Sequence, residues 1–167
     1  MKESAYPDHK EQDEFDRKAL HVCAMNEDFD VVGYIRLLLK KHCTTLPYEM
    51  HPSLAGRQYS FPNMAEISRF IIRQDKQGLS LAKHMLRIVW QESMDLGLEN
   101  WAIVCEPSLL RLIKLFGCEF EPLAPPTLYY GGFTQPAVLN ARETVRKWKN
   151  RYPGAFEFYN SPVSQSY

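Results

Sequence analysis

The residues best placed to do chemistry stand in Glu66-Ile67-Ser68-Arg69-Phe70, where two opposite charges interrupt an otherwise apolar run. A charge taken out of water is costly unless it is paired. Strict alternation along a strand puts Glu66 and Arg69 on opposite faces. Either one face is wet, or a bulge re-aims one side chain. Both arrangements mark a site, and the plain alternative is an edge strand with solvated charges. Burial raises the pKa of Glu66 and Arg69 opposes the rise, so the sign of the net shift stays open at this level. Arg36 repeats the anomaly in Gly33-Tyr34-Ile35-Arg36-Leu37-Leu38. Its partner is expected to be a carboxylate on a neighbouring strand or in the preceding loop, with Asp13, Asp16 and Glu66 available. Arginine suits such a role because its planar fork grips carboxylates bidentately. A third feature is Asp75-Lys76-Gln77-Gly78-Leu79-Ser80, where a glycine lets backbone N–H groups approach an anion at a helix start. A simple helix start explains it equally well.

These residues need elements to hold them. His21–Met25 and Val31–Leu39 read as an antiparallel hairpin across turn residues 26–30. Residues 40–63 carry three prolines and form a long irregular connection. A loop of that length in a compact domain is usually functional. Ala65–Arg73 is the third strand. The helix from Leu79 to Leu96 has an apolar stripe through Ala82, Met85, Leu86, Val89, Trp90 and Leu96, with Gly97 in the position of a C-terminal cap. Trp101–Cys105 is the fourth strand, and Pro107 opens a helix that runs to Phe116. Residues 118–138 mix short extended pieces with Pro and Gly. An amphipathic helix spans 141–151. The order predicts an α/β fold: a mixed sheet with one parallel pair joined through a helix, an antiparallel hairpin and packed helices.

The chain has 167 residues, enough for one domain, 1–167, with residues 1–10 and 160–167 expected to be loose. Lys plus Arg and Asp plus Glu number 20 each, a balance that argues against a general nucleic-acid binder. Cysteines 23, 43, 105 and 118 form no C-x-x-C pair, which fits free thiols in a reducing cytoplasm and makes a metal site improbable. No apolar run approaches the roughly 20 residues of a membrane helix, and the acidic N-terminus is unlike a signal peptide. A cytoplasmic protein is expected.

Asp13-x-x-Asp16, Gly33-x-x-Arg36-Leu37 and Glu66-x-Ser68-Arg69-Phe70, in this order and spacing, resemble the acyl-homoserine-lactone synthases of the GNAT acyltransferase superfamily. They are equally similar to long-chain N-acyl amino acid synthases and to the acyltransferases associated with exosortase (PEP-CTERM) systems. The exosortase-associated group is also similar through Gly117-Cys118-Glu119-Phe120-Glu121-Pro122, Pro125-Pro126, Tyr130-Gly131 and Arg151–Phe158. The resemblance covers about residues 11–160.

It implies a GNAT-like fold, mostly antiparallel, whose third and fourth strands splay around the pantetheine arm of an acyl thioester. The implied activity is N-acyl transfer from acyl-carrier protein, or acyl-CoA, to the amine of an amino acid, with no permanently bound cofactor. Lactone synthesis with S-adenosylmethionine is the alternative, and a non-catalytic acyl-ligand-binding paralogue is a third. The resemblance implies catalytic roles for Glu66, Ser68 and Arg69, with Glu66 as the general base. It implies acceptor binding or loop ordering for Arg36, Asp13 and Asp16, and donor binding for Phe70, Ile71, Arg73, Gly78 and Ser80. Lys83, Arg87, Arg111 and Lys114 are the basic residues expected to meet an acidic carrier protein. In two respects the chain departs from the pattern. Asp75 and Ser80 occupy the outer positions of the phosphate loop, which disfavours a pyrophosphate and so favours the carrier protein over CoA. Only ten residues precede Glu11-Gln12-Asp13, so the strand and helix with which the families begin are expected to be missing.

Overall fold

A computed structural model describes residues 11–57, 59, 61–73 and 78–162. Strands β1 (Ala19–Met25) and β2 (Val31–Leu39) form the antiparallel hairpin. Strand β3 (Met64–Ile72) continues it antiparallel and then pairs in parallel with β4 (Asn100–Cys105). The crossover between them is helix α1 (Gly78–Asp95). Helix α2 (Pro107–Leu115) follows β4, and short strands β5 (Glu121–Pro122) and β6 (Thr127–Tyr129) lead into β7 (Gly132–Asn140). Helices α3 (Ala141–Arg151) and α4 (Pro153–Asn160) complete the order. The sheet runs β1-β2-β3-β4-β7-β5, with β6 hairpinned onto β7. This is the mixed sheet with one parallel pair that the residue pattern implies, and it is mostly antiparallel, as the resemblance implies.

Two cores lie on opposite faces of the sheet. One packs Ile35, Leu37, Ala65, Ile67 and Ile103 against Met85, Leu86, Val89 and Trp90 of α1 and against Trp148 and Tyr159 of the last two helices. Helix α1 comes so close to β2 that a Cβ on Gly33 would sit 2.4 Å from the Met85 sulfur, which explains a glycine inside that strand. The other core is smaller. It packs Leu38, Met64 and Ala102 beneath Leu46, Tyr48 and Leu54 of the 40–63 connection. That connection folds into three short 3-10 turns, Lys40–His42, Pro47–Met50 and Pro52–Leu54, which satisfy its backbone locally. Gly97 ends α1 with φ +68°, and the N–H of Leu98 returns to the Ser93 carbonyl.

Two elements differ from the sequence-based expectation. The stretch 118–138 contains much of the nine-residue strand β7, obscured by Gly131-Gly132 and by Pro136. Pro136 lacks a donor yet sits between β4 and β5, where its carbonyl accepts from the N–H of Leu123. Helix α4 was not anticipated either. Pro153 at its first turn and the fully buried Tyr159 define it.

Candidate active site

The site grows from a fault in the β2–β3 ladder. Arg36 stands opposite Ser68 and Tyr34 opposite Ile71, so Arg69 and Phe70 together face Ile35 alone. That is a bulge, and Arg69 takes φ +52°, a left-handed conformation that costs a non-glycine residue energy. The bulge turns Arg69 onto the face that carries Arg36, Ser68 and Glu66. Of the two arrangements open at the sequence level, the re-aimed side chain is the one formed.

Arg36 and Arg69 converge there on the turn that precedes β1. Arg36 Nη1 lies 2.7 Å from Asp13 Oδ1 and 2.6 Å from Asp16 Oδ1, and Arg36 Nε donates to Ser68 Oγ at 2.9 Å. Arg69 Nη1 reaches Asp16 Oδ1 at 2.8 Å, its Nη2 reaches Asp13 Oδ2 at 3.2 Å, and its Nε lies 3.6 Å from Glu11. The Asp13 N–H donates to Asp16 Oδ2, closing the turn. Burial alone would raise the pKa of Asp16, but that N–H and the two guanidiniums outweigh it, and the carboxyl is held below its usual range. His21 adds a tie, with Nε2 at 2.8 Å from the Asp16 carbonyl and Nδ1 at 2.6 Å from the Tyr34 hydroxyl. Both guanidiniums are thus committed to protein carboxylates.

Glu66 has a different environment. It lies on the same face, opposite Leu38 of β2 and beside Ala102 of β4, and is 2% exposed. Its Oε2 accepts the Tyr48 N–H at 2.8 Å. Burial pushes its pKa to about 8, opposed by the Tyr48 N–H and by the charge of Arg36. The sign left open by the sequence is therefore upward. Arg69 does not reach Glu66, because the acidic turn captures it.

Tyr48 and His51 are participants that motif reasoning missed. The only signal for them was the length and proline content of the connection that carries them. Glu49 Oε2 accepts the Leu46 N–H and pairs with Lys40 at 2.6 Å, which fixes the turn that aims the Tyr48 N–H. His51 is buried, approaches Ser53 Oγ at 2.7 Å and Thr134 Oγ1 at 3.1 Å, and meets the ring of Tyr129 edge-on. Burial lowers its pKa, which favours the neutral ring, and the ring ties the connection to β7.

Beyond Glu66 the sheet opens. The parallel ladder ends at Ile67–Ile103, whereas β3 continues to Ile72 and β4 to Cys105. Over this gap, between α1 and α2, lies a groove of about 540 Å³, lined by Phe70, Ile72, Arg73, Gly78, Leu79, Ala82, Leu109 and Leu112. Of the donor-binding residues expected from the sequence, Phe70, Arg73 and Gly78 line it. Ile71 points to the opposite face and is 54% exposed, and Ser80 is exposed outside the lining. Asp75 lies outside the described residues.

The basic residues expected to meet a carrier protein divide. Arg111 is exposed. Lys83 lies over the ring of Phe158, and Lys114 pairs with Glu119. Arg87 donates to the carbonyls of Ser161 and Pro162 and stacks on Phe158, so its guanidinium fastens the chain after α4 and is not free to meet a partner. The sequence could not show this because α4 was not foreseen. Among the described residues, no cluster of His, Cys, Asp or Glu is arranged to hold a metal ion, and no helix is long and apolar enough to cross a membrane.

A parallel pair that splays beside a buried carboxylate, with an apolar groove leading into the gap, is an arrangement suited to an acyltransferase. The chain belongs to the GNAT acetyltransferase family: that domain's family model matches residues 1–87. Its fold is similar to that of the CoA-dependent acyl-homoserine lactone synthase BjaI, solved with SAM and isopentyl-CoA, at a TM-score of 0.70 and 25% identity over 89% of this chain and 71% of that one. The CoA-dependent synthase MesI is similar at 0.66 and 22% identity, over 90% and 77% of the two chains. An aminoglycoside 6'-acetyltransferase shares the fold at 0.51 and 9% identity, over 75% and 70%. No curated protein matches the chain significantly.

Proposed function

We propose that this chain, acting as a single domain in the cytoplasm, moves a fatty acyl group from an acyl-carrier-protein thioester to the amine of an amino acid. The observation that carries the reading is Glu66, a buried carboxylate whose pKa is pushed to about 8, standing just before the point where β3 and β4 part. An amino-acid ammonium must lose a proton before it can attack, and a base with a pKa near ambient pH is suited to take it. Glu66 accepts that proton, directly or through one water. The amine nitrogen then bonds to the thioester carbonyl carbon, the C–S bond breaks, and the thiolate leaves and is protonated. Beyond Ile67 the β4-facing edge of β3 has no ladder partner, so backbone N–H groups near Phe70 and Ile71 are available to polarise the carbonyl oxygen. Phe70, Arg73 and Gly78 border the donor arm. Arg36, Arg69 and Ser68 hold the bulge and the acidic turn in register; with both guanidiniums already paired, they order the site and leave acceptor binding to other groups. Arg111 is the exposed cation left to meet the carrier protein.

The donor is tested by comparing kcat/KM for carrier-protein and CoA thioesters of one chain length, with product followed by mass spectrometry. Higher kcat/KM with the carrier protein is the expected result, and a clear preference for CoA refutes that choice. The second reading, lactone synthesis, is favoured by the likeness to BjaI, whose structure holds SAM and isopentyl-CoA. Adding SAM to the same assay separates the two, because only the second yields an acyl-homoserine lactone.

A further inference from the structure

On the face of the sheet away from α1, past Glu66, lies a second cavity of about 360 Å³. Leu54, Met64 and the parallel rings of Tyr59 and Phe61 supply its apolar wall, the rings lying 6.3 Å apart. Tyr48 lines it too, and its N–H is the group that holds the Glu66 carboxylate. Met64 and Glu66 are two residues apart on one strand, so they project to the same face about 7 Å apart. The cavity therefore adjoins the carboxylate on the side away from the splay.

Two cations border this cavity, and their situations differ. Lys40 is engaged by Glu49 at 2.6 Å and by the Thr44 carbonyl at 2.8 Å. Arg57 is exposed and lines the cavity, and among the described residues no carboxylate pairs with it. Its backbone is held in a turn, since its N–H donates to the Leu54 carbonyl and Gly56 before it has φ +74°. The cavity has apolar walls, a Lys40–Glu49 pair, a guanidinium with no carboxylate partner among the described residues, and Tyr48 between it and the Glu66 carboxylate, and it fits a small zwitterion with an apolar side chain. Arg36 and Arg69 cannot serve its carboxylate, because both are already neutralised by the acidic turn.

Building on the proposed amide-forming reaction, we infer that this cavity is the acceptor subsite, that it takes an apolar α-amino acid, and that Arg57 binds the amino-acid carboxylate. The side chain rests on Tyr59, Phe61 and Leu54, and the amine points along β3 toward Glu66. Arg57 sets specificity, since an amine without a carboxylate gains nothing from it.

The test is calorimetry on the full chain with L-leucine and L-phenylalanine, each set against its carboxamide. The amino acids should bind about 10–100-fold more tightly than the amides, the range expected of a charge-assisted hydrogen bond. Arg57→Ala should abolish that difference, Arg57→Lys should keep part of it, and melting should stay unchanged because the side chain is exposed. In turnover, Arg57→Ala should raise the acceptor KM and leave kcat little altered. Equal binding of acid and amide, unchanged binding by Arg57→Ala, or no binding of either amino acid overturns the inference. Failure of the proposed reaction reads differently: the wild-type chain yields no N-acyl amino acid from either thioester, whatever calorimetry shows.

Discussion

Arg36 and Glu66 sit on adjacent strands, on one face of one sheet, and both are almost wholly buried. The structure treats them in opposite ways. Arg36 is met by two carboxylates and a hydroxyl, and the acidic turn also satisfies Arg69. Among the described residues, Glu66 is met by a single backbone N–H, that of Tyr48. A buried charge surrounded by counter-charges is fixed in one protonation state and serves as a fastener. A buried carboxylate with one hydrogen bond is poised between states, and that is the property a proton acceptor needs. The same local anomaly in sequence, a charge in an apolar strand, thus has two meanings, and the partners decide between them.

The largest expected effect breaks the comparison on the Glu66 side. Glu66→Gln keeps the shape and the Tyr48 contact but removes the proton acceptor. General-base contributions run about 10²–10⁴-fold, so kcat should fall by that much while acceptor KM changes little. In the wild type, kcat should rise with pH and level off above about 8, where Glu66 ionises. Steady-state kinetics from pH 6 to 9 measure both. If kcat survives within about threefold, far short of a base contribution, another group takes the proton.

On the Arg36 side the loss should appear as stability. Arg36→Ala leaves Asp13 and Asp16 facing each other with Arg69 alone to compensate. Removing one partner of a buried ion pair typically costs about 3–5 kcal/mol. Asp13 is more than a third exposed, so the lower end of that range is expected here. Urea unfolding of the variant measures it, and a midpoint unchanged from the wild type would show that the network fastens nothing.

Most of the frame was legible because hydrophobic period and turn residues act locally. The β1–β2 hairpin, β3, α1 with its Gly97 cap, and β4 all follow from such patterns. The strand-borne charges at 36, 66 and 69 stood out because apolar strands rarely tolerate them. What stayed hidden depends on tertiary partners. The left-handed Arg69 follows from a register slip that only the paired strand defines. The Tyr48 N–H is a backbone group and carries no side-chain signal. Arg87 looked like free helix surface because its acceptors, the carbonyls of Ser161 and Pro162, stand just after α4, more than 70 residues along the chain. Strand β7 was masked because Pro136 and paired glycines argue locally against a strand that its neighbours nevertheless complete.

The smallest expected effect sharpens the comparison without relying on activity. Glu66 titrates near 4.5 in the unfolded chain and near 8 when folded. Below 4.5 it is protonated in both states, and it adds no pH dependence. Between 4.5 and 8 the unfolded chain has released the proton and the folded chain has kept it, so the folded state binds more protons and stability falls as pH rises. The slope from this one group is at most about 1.4 kcal/mol per pH unit. Above 8 both states are ionised and the penalty is constant. Asp16 works in the opposite sense, since its lowered pKa stabilises the fold above 3.8 and that contribution fades as pH falls below it. Its window lies under that of Glu66, and it is present in both proteins when wild type and Glu66→Gln are compared. The difference in unfolding free energy between the two should therefore move steadily in favour of Glu66→Gln from about pH 5 to 8, then flatten. Denaturant titrations at half-unit pH steps across that range measure it. A difference that stays flat from pH 5 to 8 would mean Glu66 ionises as readily inside the fold as in water, and the contrast with Arg36 would lose its basis.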